Sequence, residues 1–192
     1  MAFDGTYLKV YELTNVYFQY DAAGTLTEVA FPWPNALKPS QQTETFSWRG
    51  GGSRKDVTVL AAVNYTLDLD AIPLAAHKTL MGGSEITAAD GFSGDISTIV
   101  AFGGGNDVGG VTRGMRALAH AYAGDTEIAV DVILWMPIVT ITVSALPGLN
   151  AGAVADKFQY NISCVKTAVD ITGDTITGAP SGGAYLYVGE AT

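Results

Sequence analysis

The sequence predicts a mainly β fold carrying a single short helix. Three observations lead there. Apolar and polar residues alternate with period 2 over most patterned stretches, as in Tyr65, Leu67 and Leu69 against Thr66, Asp68 and Asp70. Those stretches are rich in Val, Ile, Thr and aromatic residues, which fit a pleated surface. Only one segment, Ile72 to Met81, shows a clear helical period together with start and stop signals.

The elements follow in chain order. Tyr7 to Tyr20 and Thr25 to Phe31 read as strands around a turn at Asp21-Ala22-Ala23-Gly24, so the chain opens as a hairpin. Pro32-Trp33-Pro34-Asn35-Ala36-Leu37-Lys38-Pro39 holds three prolines, each without a backbone donor, and is expected to be a stiff, unpaired loop presenting Trp33 and Leu37. Thr43 to Asp70 reads as strand, glycine-rich turn, strand, with Val57, Val59 and Ala61 alternating with Thr58, Leu60 and Ala62, and then Tyr65, Leu67 and Leu69 with Thr66, Asp68 and Asp70. The turn, Arg49 to Lys55, is the one dense basic cluster of the chain.

In the helix, Ile72, Ala75, Ala76, Thr79 and Leu80 form the expected apolar face. Asp70 is the candidate N-cap, Pro73 suits the first turn, and Gly82-Gly83 supplies a left-handed stop. Residues 84–114 are a glycine-rich insert with a short apolar island, Ile96 to Phe102. Met115 to Ala123 favours a strand, although it also holds good helix formers. Glu127 to Met136 and Val139 to Ala145 read as two buried strands divided by Pro137, an edge, bulge or break. Phe158 to Val165, Val169 to Thr172 and Tyr185 to Val188 complete a count of nine or ten strands in one domain, residues 1–192.

Composition narrows the function. The net charge of −9 argues against gripping nucleic acid through its phosphates, yet like charge would let a duplex pass without sticking. Only 15% of residues are charged, against about 25% in ordinary soluble domains, which suggests a surface covered by further copies of the chain. The single cysteine, Cys164, excludes an internal disulfide and reads as a small buried hydrophobe. The opening residues lack a basic stretch followed by an apolar one, so no secretory leader is expected, and the apolar run Ile128 to Leu146 is broken by Asp131 and Pro137 and is not expected to span a membrane. Without secretion, the Asn64-Tyr65-Thr66 and Asn161-Ile162-Ser163 glycosylation patterns are chance matches.

Reactive chemistry is sparse. Gly103 to Gly110 follows an apolar run as a dinucleotide loop would, but no G-x-G-x-x-G or phosphate-loop spacing can be read from Gly103 or Gly105. Two histidines, His77 and His120, are too few for a convincing triad, and no spacing joins them to Asp68 or Asp70 as a metal site. Asp90, Asp95 and Asp107 lie in glycine loops without a calcium-loop pattern and read as solvated turn acids. No cofactor, no metal and no enzymatic activity are expected.

Thr43 to Gly51, the paired strands to Asp70, the lone helix closed by Gly82-Gly83, and the late strands TEIAVDVILWMPIVTITVSA and KFQYNISCV together resemble the tail tube (major tail) proteins of long-tailed bacteriophages. The resemblance covers residues 43–172 by order of elements; the glycine-rich insert and the Pro-Trp-Pro loop depart from it. It implies a β-sandwich or half-barrel flanked by one helix. It further implies six copies in a ring with a continuous inner β-barrel, and rings stacked into a tube that conducts DNA. The partners would be the chain itself and other tail proteins; the place would be the virion, after synthesis in the host cytoplasm. On this reading Trp33, Leu37, Arg49, Arg54, Lys55 and the arm of residues 1–6 are candidate assembly contacts, while Asp125, Glu127 and Asp131, at odd positions around one strand, are candidate lumen acids. The alternatives are another virion part (head decoration, tail completion or baseplate) and a carbohydrate-binding β-sandwich using Trp33, Trp48 or the N-terminal tyrosines as stacking faces.

Overall fold

A computed structural model describes residues 8–31, 33–50, 53–71, 74–81, 85–86, 99–100, 109–123, 126–145 and 158–190. The strands are β1 (Leu8–Ala22), β2 (Thr25–Phe31), β3 (Pro34–Gly50), β4 (Ser53–Leu69), β5 (Glu85–Ile86), β6 (Ile99–Val100), β7 (Val111–Ala123), β8 (Thr126–Ala145), β9 (Phe158–Cys164) and β10 (Tyr187–Glu190), with one helix, α1 (Leu74–Met81), between β4 and β5. Eight strands form one antiparallel sheet in the order β2-β1-β7-β8-β9-β4-β3, with β10 also on β8; β5 and β6 pair separately. The fold is thus mainly β with one short helix.

The β1–β2 turn forms where the sequence places it. Ala23 and Gly24 both take positive φ (54° and 84°), the paired left-handed geometry of a two-residue hairpin, and the Asp21 carboxylate accepts the Gly24 N–H at 2.6 Å.

The sheet is rolled. Phe31 on β2 and Tyr160 on β9 sit four places apart in the strand order, about 19 Å if the sheet were flat. Their ring centroids are 5.4 Å apart, and Phe18 on β1 meets both rings, at 4.8 Å and 6.4 Å. The core therefore lies inside the curl: Val16, Phe18 and Phe31 from one limb, Leu67, Leu69, Phe158, Tyr160 and Ile162 from the other, and Met115, Met136 and Ile141 between. One sheet folded over itself buries what two sheets share in a sandwich.

Helix α1 closes this core. Ala76, His77, Leu80 and Met81 are its buried residues, so the buried face is rotated from the expected one: Ala75 and Thr79 are exposed and His77 is fully enclosed. The reason is tertiary. His77 Nδ1 is 2.8 Å from the Tyr160 hydroxyl, and its ring lies against Phe158 and Tyr160. Arg113 on β7 donates to the Leu80 carbonyl near the helix C-terminus, where a cation is favoured. The proposed Pro73 and Gly82-Gly83 signals lie outside the described residues.

Three expectations are corrected. The proline-rich loop is instead the start of β3, with Pro34 opposite Leu69, Leu37 opposite Leu67 and Pro39 opposite Tyr65. β3 ends the strand order, so a proline's missing donor costs nothing on its open side. The two strands around Pro137 are one strand, β8, with a register shift as Pro137 and Ile138 face Gly114, between the pairs Arg113–Val139 and Met115–Met136. Residues 169–172 form a single bridge, Val169 with Thr175, and a turn in which the Asp170 carboxylate accepts the Thr172 and Asp174 N–H groups. Met115 to Ala123 is strand, as its alternation favours.

Candidate self-association surface

The β3–β4 hairpin outruns the body. β4 is paired to β9 only from Val63 to Leu69, so Ser53 to Ala62 have β3 on one side and no second strand among the described residues. Ten residues of strand reach about 33 Å. Every residue described there, 43–48 and 54–61, is exposed. This segment is an arm.

A bulge decides what the arm displays. Gln42 faces Ala62, but Thr43 faces Leu60, which leaves Ala61 as the extra residue on β4. One extra residue exchanges the faces of everything beyond it. Beyond the bulge, the opposed pairs Glu44–Val59, Phe46–Val57 and Trp48–Lys55 share one face, and Thr45–Thr58 and Ser47–Asp56 share the other. Val57 and Val59, in phase with Leu67 and Leu69 in sequence, are thereby turned away from the core side to join Phe46 and Trp48.

The two faces differ chemically. On the polar face Thr45 and Thr58 hydroxyls meet at 2.9 Å, Ser47 donates to Asp56, and Arg54 donates to Asp56 at 2.9 Å and to Ser47 at 3.0 Å. The Ser47 hydroxyl, then Arg54, hold the Asp56 carboxyl below its ordinary range. These bonds pin the register of a ribbon that a two-stranded hairpin alone would hold weakly. On the other face Phe46 is 53% exposed, Trp48 50%, Val57 43% and Val59 41%. Covering the rest of these four side chains is worth about 3–6 kcal/mol. The arm also offers the free backbone edges of β3 and of distal β4, a template for further strands.

The remaining candidates are placed as follows. Trp33 precedes β3 with φ of 50° and 69% exposure, its carbonyl accepting the Asp70 N–H at 3.3 Å. A left-handed tryptophan held in solvent stores backbone strain, a property associated with contact sites. Next to it in the fold, Asn35 Nδ2 donates to both oxygens of Asp70. Leu37 packs against the core. Arg49 lies opposite Arg54 at the arm tip, and Lys55 is exposed opposite Trp48. Trp33 and the tip belong to opposite ends of the β3–β4 hairpin and do not form one site. Asp125 and residues 1–6 lie outside the described residues; Glu127 faces Tyr122 and Asp131 faces His120, with a register shift between those pairs.

A band of polar and aromatic side chains, invisible in the sequence because its members are far apart, ties β2, β1, β7, β8 and β10 together. Arg116 pairs with Glu28 at 2.6 Å and lies over the Tyr17 ring at 4.6 Å. Gln19 donates to Glu28 at 2.7 Å and accepts from Trp135 Nε1 at 3.0 Å, and Trp135 meets Tyr187 at 5.6 Å. The band braces the β2-β1-β7-β8 part of the sheet.

Among the described residues no three His, Cys, Asp or Glu side chains gather as metal ligands, and His77 is committed to Tyr160. Asp68, buried on β4, is held by Lys38 at 2.5 Å and Gln159 at 2.9 Å. Among the described residues no helix is long and apolar enough to cross a membrane. Gly103 to Val108 and Asp90, Asp95 and Asp107 lie outside the described residues. Comparison of the chain with protein-family models and with curated proteins found no match.

Proposed function

We propose that this chain is a structural subunit that self-assembles, and that it serves as the tail tube protein of a long-tailed bacteriophage. The observation that carries the reading is the arm: a hairpin of about 33 Å beyond the body that exposes Phe46, Trp48, Val57 and Val59 on one face, between Glu44 and Lys55, and has open backbone edges among the described residues. A monomer gains nothing from such an element, whereas a subunit in a closed ring or stack covers it.

Further features support the same reading. Among the described residues the sheet ends in two open strands, β2 and β3, which sheet extension between copies would complete. A net charge of −9 suits a channel that DNA traverses without binding, with Glu127 and Asp131 as lumen acids. The full assembly on this proposal is six copies per ring, rings stacked into a tube, and other tail proteins at its ends within the virion.

Negative-stain electron microscopy of the purified protein over a concentration series, with mass determination, tests it. Hollow rings that stack into open-ended tubes are expected. Closed rings that never stack would favour a head-decoration or tail-completion role, and a monomer at every concentration would overturn self-assembly.

A further inference from the structure

Two bulges stand at the same height in the sheet. Cys164 on β9 faces Val139 of β8 on one side and Val63 of β4 on the other, which sets those two residues level. From Val139 to Trp135, β8 runs past Arg113 to Arg116 of β7 with one residue to spare. From Val63 to Val59, β4 runs past Gln41 to Glu44 of β3, again with one to spare. The two strands therefore stay in step, and Trp135 is level with Val59. Val139 and Val63 belong to the core, whereas Trp135 and Val59 are both turned off it.

Between these strands, β10 takes up the line that β9 leaves. Tyr187 faces Trp135 and Gly189 faces Ile133, and β8 is its one partner among the described residues. The β4 residues at those two heights are Val59 and Val57, whose outer edge carries no described strand. The strand directions also agree. β9 is antiparallel to both β8 and β4, and β10 is antiparallel to β8, so β10 and distal β4 are antiparallel. The two edges are already tied at one point. Two residues before Tyr187, the Tyr185 hydroxyl donates to the carbonyl of Ala61, the bulged residue of β4, at 3.2 Å. A Cβ at Gly189 would meet nothing within 4 Å, so the place beside it is open.

We infer that distal β4 closes onto β10 within one subunit, hinged at Ala61, with Val59 opposite Tyr187 and Val57 opposite Gly189. The arm then has two states. Open, as described above, it projects with two bare backbone edges. Closed, distal β4 lies between β3 and β10, Val59 joins the Trp135–Tyr187 row, and only the edge of β3 stays bare. Closure shields in the free subunit an edge that would otherwise pair with any strand it meets. The seam needs no second copy, so it stands or falls separately from the self-assembly reading.

A cysteine pair tests the register. Val57→Cys with Gly189→Cys places two thiols directly opposite in the closed state, while Thr58→Cys with Gly189→Cys places them on opposite faces of the same strands. Cys164 is buried and common to both proteins. In a glutathione redox buffer, at a concentration where the chain is monomeric, the 57–189 bridge is expected to form within one chain about tenfold or more faster than the 58–189 bridge, read by mass spectrometry of non-reduced peptides. Tyr185→Phe, which removes the tie to Ala61, is expected to slow it. Equal rates for the two pairs, or 57–189 bridges found only between chains, would overturn the closure. Should the cysteine variants fail to fold, hydrogen exchange of the wild-type monomer decides instead. A closed β4 has partners on both sides, so successive amides of residues 57–59 are protected, whereas a two-stranded ribbon protects only alternate ones. Alternate protection on β4 would show an arm that stays open and would refute the seam.

Discussion

Replacing Phe31 by alanine tests the rolled sheet on which every other placement depends. Phe31 is fully enclosed on β2, 4.8 Å from Phe18 and 5.4 Å from Tyr160, which arrives from the far limb of the curl. A buried Phe→Ala change in a packed core costs about 3–5 kcal/mol, the transfer term plus the cavity. For a domain of this size that lowers the melting temperature by about 6–20 °C. Were the sheet flat, Phe31 would touch only its own hairpin and the loss would be about 1 kcal/mol. The curl also requires coupling between the limbs. In a double-mutant cycle of Phe31→Ala with Tyr160→Leu, the ring contact should appear as about 0.5–1.5 kcal/mol of non-additivity. Urea unfolding followed by far-ultraviolet circular dichroism, below the concentration at which the chain associates, supplies both numbers. A loss under about 1 kcal/mol, or strict additivity, would refute the closed core.

Three further outcomes follow from particular side chains. Trp33→Gly should leave stability within about 1 kcal/mol, because relief of the left-handed strain offsets the added backbone entropy, while weakening assembly; unchanged polymerisation by the folded variant would remove Trp33 from the contact surface. Burial pushes the Cys164 thiol from 9.0 up to about 11, so the folded state keeps a proton that the unfolded chain releases: its contribution to stability is complete below about pH 9 and declines as pH rises towards 11. Cys164→Ala should show a shallower alkaline decline, and maleimide should label the folded wild type slowly at pH 8; labelling at the rate of a free thiol would contradict the burial. Gly183→Ala should loosen the segment 165–190 in hydrogen exchange, since an added Cβ would lie 2.1 Å from the Thr167 carbonyl carbon at a φ of +74°, whereas Gly173→Ala, at a φ of +91° in open space, should cost only about 1 kcal/mol. Equal effects at the two glycines would point to backbone conformation alone.

Period-2 alternation and turn chemistry in the sequence were enough to determine that the chain is mainly β, that Asp21 to Gly24 turns a hairpin, that residues 43–70 form another, and that one short helix follows. These are local properties: a strand's pleat and a turn's φ angles depend on neighbours within a few residues. The sequence also carried the basic tip and the acidic remainder, since charge is a count. Which way residues face was decided elsewhere. The phase of Val57 and Val59 matches that of Leu67, and only the bulge at Ala61, which lies just beyond the last β4 residue paired with β9, sends them to the opposite face. The helix likewise buries His77 rather than Ala75 and Thr79 because Tyr160, 83 residues away, offers a hydroxyl there. Pro39 pairs because β3 is an edge, and Pro137 is accommodated because β8 bulges opposite Gly114. Local pattern selects an element; its face, its register and its exposed edges are settled by strands that are distant in sequence and adjacent in space.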